Sequence, residues 1–392
     1  MTTMSKLRAC EGPALFSYGF RPFFLFGAVY AGLIIPLWLA VFAGDVSLPT
    51  AFGPRDWHVH EMLFGYAAAV VAGFLLTAVP NWTGRLPIQG VPLAVLFSTW
   101  LVGRLAVSLS AQIGWAAAAV VDSLFLLTLA AAALREIVAG RKWSNLKVVG
   151  IVLVLAITNV AFHLEAHFYG LAEYATRAGV ALVVTLVSLV GGRIVPSFTR
   201  NWLARRPPGR MPVPFGRLDV AAMVAGVLAL AGWTVVPAGR LVAAILCVAG
   251  ALHLVRLARW AGERTVADRL VLILHVAYAF LPAGYFLTAL SALDLTAPGA
   301  GVHAWTGGAV GTMTLAVMTR ASLGHTGRAL SASPATQAVY LAIVVAAATR
   351  ICAALEPAWS GILLSIAGAA WALAFLGFAL IYAQLLCTVR KG

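Results

Sequence analysis

Residues 57–80 read WHVHEMLFGYAAAVVAGFLLTAVP. After Glu61 no charged side chain interrupts the run. Nothing alternates as a half-buried strand would. A stretch of about 20 apolar residues is the length that crosses a bilayer at 1.5 Å rise per residue. Two histidines and a glutamate crowd one end. A membrane helix with ionisable groups near one face is the reading, and the rest of the chain repeats the pattern.

Of 392 residues, 62% are hydrophobic and 10% charged. A soluble domain carries about 25% charged residues, so lipid must cover the apolar surface. Backbone polar groups cannot face hydrocarbon unpaired, which leaves helices or a closed barrel. Long continuous runs exclude the barrel. The expected fold is therefore all-α and integral to the membrane. Twelve spans are predicted at 20–43, 57–80, 90–109, 114–135, 146–168, 174–196, 217–236, 239–259, 268–291, 302–320, 334–354 and 358–386. A polar linker, 197–216, divides the sixth from the seventh. The chain 1–392 reads as one polytopic membrane domain.

The net charge of +14 invites a nucleic-acid reading, but its placement argues for topology instead. With the amino terminus in the cytoplasm, 22 of the 27 lysines and arginines fall on the cytoplasmic side, as the positive-inside rule requires. Both termini are then cytoplasmic. No apolar stretch precedes Cys10, so no lipoprotein site is expected, and the first span is too long for a cleaved signal. Cys10, Cys247, Cys352 and Cys387 have no paired spacing and read as single thiols.

Three helix ends look alike: Val79-Pro80-Asn81-Trp82-Thr83, Val195-Pro196-Ser197-Phe198-Thr199 and Val317-Met318-Thr319-Arg320. Their spacing hints at a three-fold repeat of four-helix units, 15–140, 146–260 and 268–388. The plainer reading is that Pro, Asn and Thr often end membrane helices.

Five of the eight histidines fall at the outer ends of spans: His58, His60, His163, His167 and His303. His253, His275 and His325 lie toward the cytoplasm. Ionisable residues within membranes are costly and default to functional hypotheses, and imidazole is the commonest metal ligand. A lone histidine is more often a hydrogen-bonded interface residue than a ligand. Five at one depth bring the two readings level. Histidines at similar depth on different spans meet the need of a membrane haem for opposed axial ligands. His163 and His167, spaced i, i+4, share a helix face and can share one ion. His58 and His60 diverge on a helix and align in an extended turn. Glu61 either orients an imidazole or caps its span. Glu165, deeper, is the candidate for a proton-carrying or metal-linked acid; its alternative is a boundary carboxylate reaching water. Arg21, Arg193 and Arg320 at the inner level either clamp an anion such as a haem propionate or serve as positive-inside anchors.

No Walker loop, dinucleotide fingerprint, Cys-x-x-Cys-His haem attachment or EF-hand loop is present. Nothing couples the chain to ATP, and any haem is bound without a covalent link.

Gly19-Phe20-Arg21-Pro22-Phe23-Phe24, Trp57-His58-Val59-His60-Glu61-Met62-Leu63-Phe64-Gly65 and Gly73-Phe74-Leu75-Leu76-Thr77-Ala78-Val79-Pro80-Asn81-Trp82-Thr83-Gly84 resemble the NnrS family. So do Pro196-Ser197-Phe198-Thr199-Arg200-Asn201 and residues 313–328, ending Gly324-His325-Thr326-Gly327-Arg328. The resemblance runs from near residue 15 to the end. It implies a bacterial cytoplasmic-membrane protein containing non-covalent b-type haem and copper, linked to denitrification and resistance to nitric oxide. Nitric oxide or a metal-nitrosyl species, an electron donor and the bilayer are then its partners. The positions that match the family pattern are His58, His60, His163, His275, His303 and His325. Depth and spacing together with the resemblance make His60 and His303 the expected haem ligands, with His58, His163 and His167 at a second outer metal and His275 and His325 at an inner site. Spans six and seven lack histidine, unlike the haem–copper oxidases. The alternative is a transporter of a metal ion or small metal complex using the same histidines. Pro36, Pro282 and Gly307-Gly308 are the mid-span interruptions it would need.

Overall fold

A computed structural model describes residues 12–389 of the chain. Lys6, Arg8, Cys10, Arg390 and Lys391 lie outside the described residues. Within them every regular element is helical. The long helices are α1 Phe20–Ala43, α2 Pro54–Thr83, α3 Val91–Ser108, α4 Trp115–Ala139, α5 Trp143–Tyr169, α6 Tyr174–Leu203, α7 Arg217–Val235, α8 Arg240–Ala258 and α9 Arg269–Ala292. They continue with α10, residues 298–325, α11 Pro334–Leu355 and α12 Pro357–Cys387. Eleven of them are long and apolar enough to cross a membrane. The remaining one, α10, is a continuous helix assembled from three pieces. The protein is thus an all-helical, multi-pass membrane protein.

The predicted spans recur within a few residues, and α2, α5, α6 and α10 run longer at one or both ends. Pro80 and Pro196 lie inside α2 and α6 and do not end them. In membrane helices neighbouring groups satisfy the carbonyl that proline leaves free. The polar linker therefore shortens to 204–216. Pro36 and Pro282 are likewise passed without a break. Proline works instead at helix starts, at Pro54, Pro298 and Pro334, where its missing N–H costs nothing. The division of α7 from α8 is real. Val236 leaves helical geometry and Gly239 takes φ +116°, a conformation open to glycine.

Two helices carry π segments. In α2 it is Glu61–Ala67, directly after His60. In α10 it is Ala304–Gly311, directly after His303. Each follows a short helical piece that begins with proline. A π segment rotates everything beyond it relative to a plain α-helix, and such segments concentrate at functional sites. The helix α6, whose end resembles theirs in sequence, is α throughout.

The described residues form two compact units. One comprises 12–179 with 325–327 and 379–389; the other comprises 180–324 with 328–378. In the first, α3 packs along α4, α4 along α5, and α1 along α2. In the second, α8 packs against both α7 and α9, and α9 packs against the π segment of α10. The α9–α10 contact depends on a small residue. A Cβ at Gly284 would overlap the indole of Trp305, whose Nε1 donates to the Leu281 carbonyl at 3.1 Å. Overfilling a packed core costs about 1–3 kcal/mol. Gly284→Ala is therefore expected to lower the unfolding midpoint in detergent, and a fluorescence shift should report the displaced Trp305.

Candidate metal centre

The first unit holds a closed polar cluster among apolar helices. His60 comes from the last turn before the π segment of α2. Asp122 comes from α4, and Asn159 and His163 from one face of α5, spaced i, i+4. All four are buried, with His60 wholly so. One ligand atom from each of His60, Asp122 and His163 lies within 4.8 Å of the others.

The contacts are specific. His60 Nε2 and His163 Nε2 each stand 3.2 Å from Asp122 Oδ2. Asn159 donates through Nδ2 to the same oxygen at 2.6 Å. That bond turns its Oδ1 toward His60 Nε2, at 2.9 Å. On the other side of the ring, His60 Nδ1 meets Glu61 Oε1 at 2.9 Å. Both nitrogens of His60 therefore face oxygen acceptors. A neutral imidazole carries one N–H. One of the two faces is then lone pair against lone pair unless a proton or a metal ion lies between.

The charge balance points the same way. Arg104, on α3, donates to Glu61 Oε1 at 2.6 Å and to Asp122 Oδ1. Tyr30 donates to Glu61 Oε2. One guanidinium thus stands against two buried carboxylates, and a further cation offsets the remaining negative charge. Glycine at two seams makes this possible. A Cβ at Gly65 would press on Arg104 Nη1 at 3.0 Å, and one at Gly103 on Asp122 Oδ1 at 3.1 Å. The Gly65 carbonyl, in the π segment, accepts from Trp100 Nε1 at 3.0 Å. That bond ties α3, and with it Arg104, to α2.

The rings of Phe52, Phe64 and Phe162 surround His60, with centroids at 5.2, 5.2 and 5.3 Å. They keep water from the cluster and sharpen every electrostatic contact within it. Glu61 holds the position of an outer partner that fixes a ligating histidine's tautomer. Loss of such a partner typically costs 10–100-fold in metal affinity. Glu61→Gln is expected to weaken metal retention by about that factor, read by competition with a chelator.

Most of the other expected ligands lie elsewhere. His58, two residues from His60, points away and stacks on Trp38 at 4.2 Å. His167 is exposed and stacks on Trp115 at 4.1 Å. The structure brings neither to the cluster. His303 closes the first piece of α10, in the second unit. There too His275 Nε2 lies 2.8 Å from the Thr199 hydroxyl. His325, in the first unit, stands against Phe20 and Tyr18 at 5.4 and 5.6 Å. The Glu165 carboxylate receives the backbone N–H groups of Glu173, Tyr174 and Ala175 at 2.7–2.8 Å. It caps the start of α6, which replaces the expected metal-linked role. Arg21 donates to the carbonyls of Leu386 and Thr388 at 2.9 and 2.6 Å, fastening the end of α12. Arg320 lies over the Phe198 ring at 4.0 Å, and Arg193 is exposed on α6.

Four participants were not anticipated: Asp122, Asn159, Arg104 and Tyr30. Two of them had a signal. Arg104 and Asp122 are opposite charges, each isolated within a span. A buried ionisable group needs a partner, and adjacent antiparallel helices joined by a short turn put the two at similar depth.

No curated protein matches the chain. The sequence profile of the family described as NnrS protein matches residues 14–390. With nearly its whole length covered by that match, the chain belongs to the NnrS family.

Proposed function

We propose that the protein is a metal-containing component of the bacterial nitric oxide response. In this reading it is a multi-pass protein of the cytoplasmic membrane, with both termini in the cytoplasm as the lysine and arginine distribution indicates. The family membership supports the process. The single observation that carries the metal assignment is the convergence of His60 Nε2, His163 Nε2 and Asp122 Oδ2 in a sealed, negatively biased pocket.

Copper fits this donor set. Imidazole nitrogens with a carboxylate oxygen suit Cu(II). Copper held by His60, His163 and Asp122 would supply a one-electron couple and could bind nitric oxide. The chain's own groups do the rest. Glu61 accepts the Nδ1 proton of His60 and so turns the Nε2 lone pair inward. Arg104 holds Asp122 by Oδ1, leaving Oδ2 for the ion. Asn159 Oδ1 is a further neutral donor. The phenylalanine cage admits an apolar diatomic more readily than water. A haem on His60 does not fit. Asn159 Oδ1 and Asp122 Oδ2 stand 2.9 and 3.2 Å from Nε2, and Glu61 Oε1 stands 2.9 Å from Nδ1, so side chains already lie where a macrocycle on either nitrogen would sit. His303, beside the second π segment, stays the proposed haem position.

Transport of a metal ion is less well supported. A passing substrate needs interrupted helices; α1 and α9 run unbroken through Pro36 and Pro282, and of the three interruptions only Gly307-Gly308 falls in an irregular, π-helical segment.

Elemental analysis of the purified protein tests the assignment. One copper ion per chain is expected, counted apart from any haem iron. It should be kept in His167→Ala and His58→Ala, and lost in His60→Ala and His163→Ala. Nitric oxide should perturb the bound metal's paramagnetic resonance signal only in the forms that keep the ion. Equal metal content in all four variants would dismiss the site.

A further inference from the structure

The second unit contains a row of aromatic rings that the proposed metal centre does not use. Trp260 follows the end of α8, and its ring lies 4.6 Å from that of Tyr278 on α9. His253, on α8, comes next at 6.0 Å and is stacked on Tyr285 at 5.4 Å with a 6° tilt. Tyr285 meets Trp305 at 5.1 Å, and Trp305 meets Trp233 at 5.4 Å. Trp233 sits near the end of α7, beside the turn that starts α8. The row therefore follows α8 from one end to the other. Nineteen residues of helix span about 28 Å at 1.5 Å each, roughly the hydrocarbon thickness. All six rings are buried.

Aromatic packing alone would be served as well by phenylalanine, which brings no polar atom to satisfy. Here all five aromatic rungs are tryptophan or tyrosine, the side chains that yield an electron. One of them is also equipped to lose a proton. Arg256 Nη1 donates to the Tyr278 oxygen at 2.9 Å. The phenol hydrogen can then point to His253 Nδ1, also at 2.9 Å, with the Ser188 side chain as a further partner of the phenol oxygen. The second nitrogen of His253, Nε2, is buried with no hydrogen-bond partner among the described residues. Asp219, 2.9 Å from Arg256 Nε, neutralises the guanidinium, so the site can take up a positive charge.

We propose that this row is a one-electron path across the membrane, with Tyr278 as its proton-coupled relay. Tunnelling falls off steeply with distance, so several short steps between rings outrun one long one. A one-electron oxidant at one face, such as a metal(III) complex or an oxidising radical, takes an electron from the terminal tryptophan. The vacancy moves ring to ring until it reaches Tyr278. There the O–H bond breaks: the electron goes to the oxidised ring ahead, and the proton goes to His253 Nδ1. The products are a neutral tyrosyl radical, an imidazolium and the oxidant reduced by one electron. A one-electron reductant at the opposite face, such as a metal(II) complex or a hydroquinone, supplies the electron that restores the phenol as the proton returns from His253. The path lies wholly in the second unit and stands or falls apart from the metal centre.

The test places the oxidant at one end of the row. Glu263, three residues past Trp260, has a half-exposed side chain. A ruthenium polypyridyl label is attached at Glu263→Cys in full-length protein whose native cysteines are serine. A flash with a soluble electron acceptor generates ruthenium(III) beside Trp260. The expected result is a tyrosyl signal in paramagnetic resonance that changes its hyperfine pattern when ring-deuterated tyrosine is incorporated. It should vanish in Tyr278→Phe, and also in Trp260→Phe, which leaves Tyr278 in place. Elution volume and helical circular dichroism establish that each variant is folded, and the Trp260→Phe and deuterium results decide the matter should Tyr278→Phe fail to fold. No tyrosyl signal in folded labelled protein overturns the proposal. So does a signal that survives Tyr278→Phe or is unchanged in Trp260→Phe.

Discussion

Asp122→Ala is expected to empty the metal centre and to destabilise the protein by about 3–5 kcal/mol, the cost of removing one partner from a buried charge pair. Asp122 meets four side chains at once: Arg104, His60, His163 and Asn159. Its loss removes the carboxylate of the proposed ligand set and leaves the buried guanidinium paired with Glu61. The two effects separate in Asp122→Asn, which keeps the volume and one acceptor oxygen. That variant should recover part of the stability while still losing metal, because an amide is a poor substitute for an anionic ligand. Thermal unfolding in detergent and elemental analysis on the same samples distinguish the two. A protein that retains its metal in Asp122→Asn would move the charge-bearing ligand elsewhere.

Asp219→Ala is expected to be equally severe in the second unit. Arg256 is 1% exposed, and Asp219 is its charge partner at 2.9 Å. Breaking such a pair costs about 3–5 kcal/mol, whereas replacing both members with apolar residues of similar volume is often neutral. The same aspartate also accepts the Gly216 backbone N–H at 2.9 Å at the start of α7, and such a cap contributes about 1 kcal/mol. The double variant Asp219→Leu, Arg256→Met should therefore recover most of the loss but not the cap. Full loss in the double variant would show that the pair is not the source of the effect.

The comparison of these two sites explains what the sequence made legible. Spans are visible because about 20 apolar residues in a row have no other use. Helix ends were harder: Pro80 and Pro196 resemble stops in a soluble protein, but α2 and α6 carry on past them to Thr83 and Leu203. Depth, spacing and the family pattern put forward His58, His60, His163 and His167 alike. Only His60 and His163 meet in the cluster, because His58 stacks on Trp38 and His167 on Trp115. The π segment after His60 fixes the rotation of its helix, and the apolar residues that compose it, Glu61 apart, carry no recognisable mark. Asp122 and Asn159 were passed over because a single polar residue in a span looks like noise until its partner across the helix pair is known. The Trp260 to Trp233 row depends on three-dimensional spacing and has no linear signature.

The most direct test is X-ray absorption at the edge of the metal that copurifies with the protein. The spectrum should show a shell of nitrogen and oxygen with scattering from two imidazoles, and both metal and spectrum should be lost in Asp122→Ala. A sulfur-containing shell, or the same spectrum at the same metal content in Asp122→Ala, would contradict a centre built from His60, Asp122 and His163.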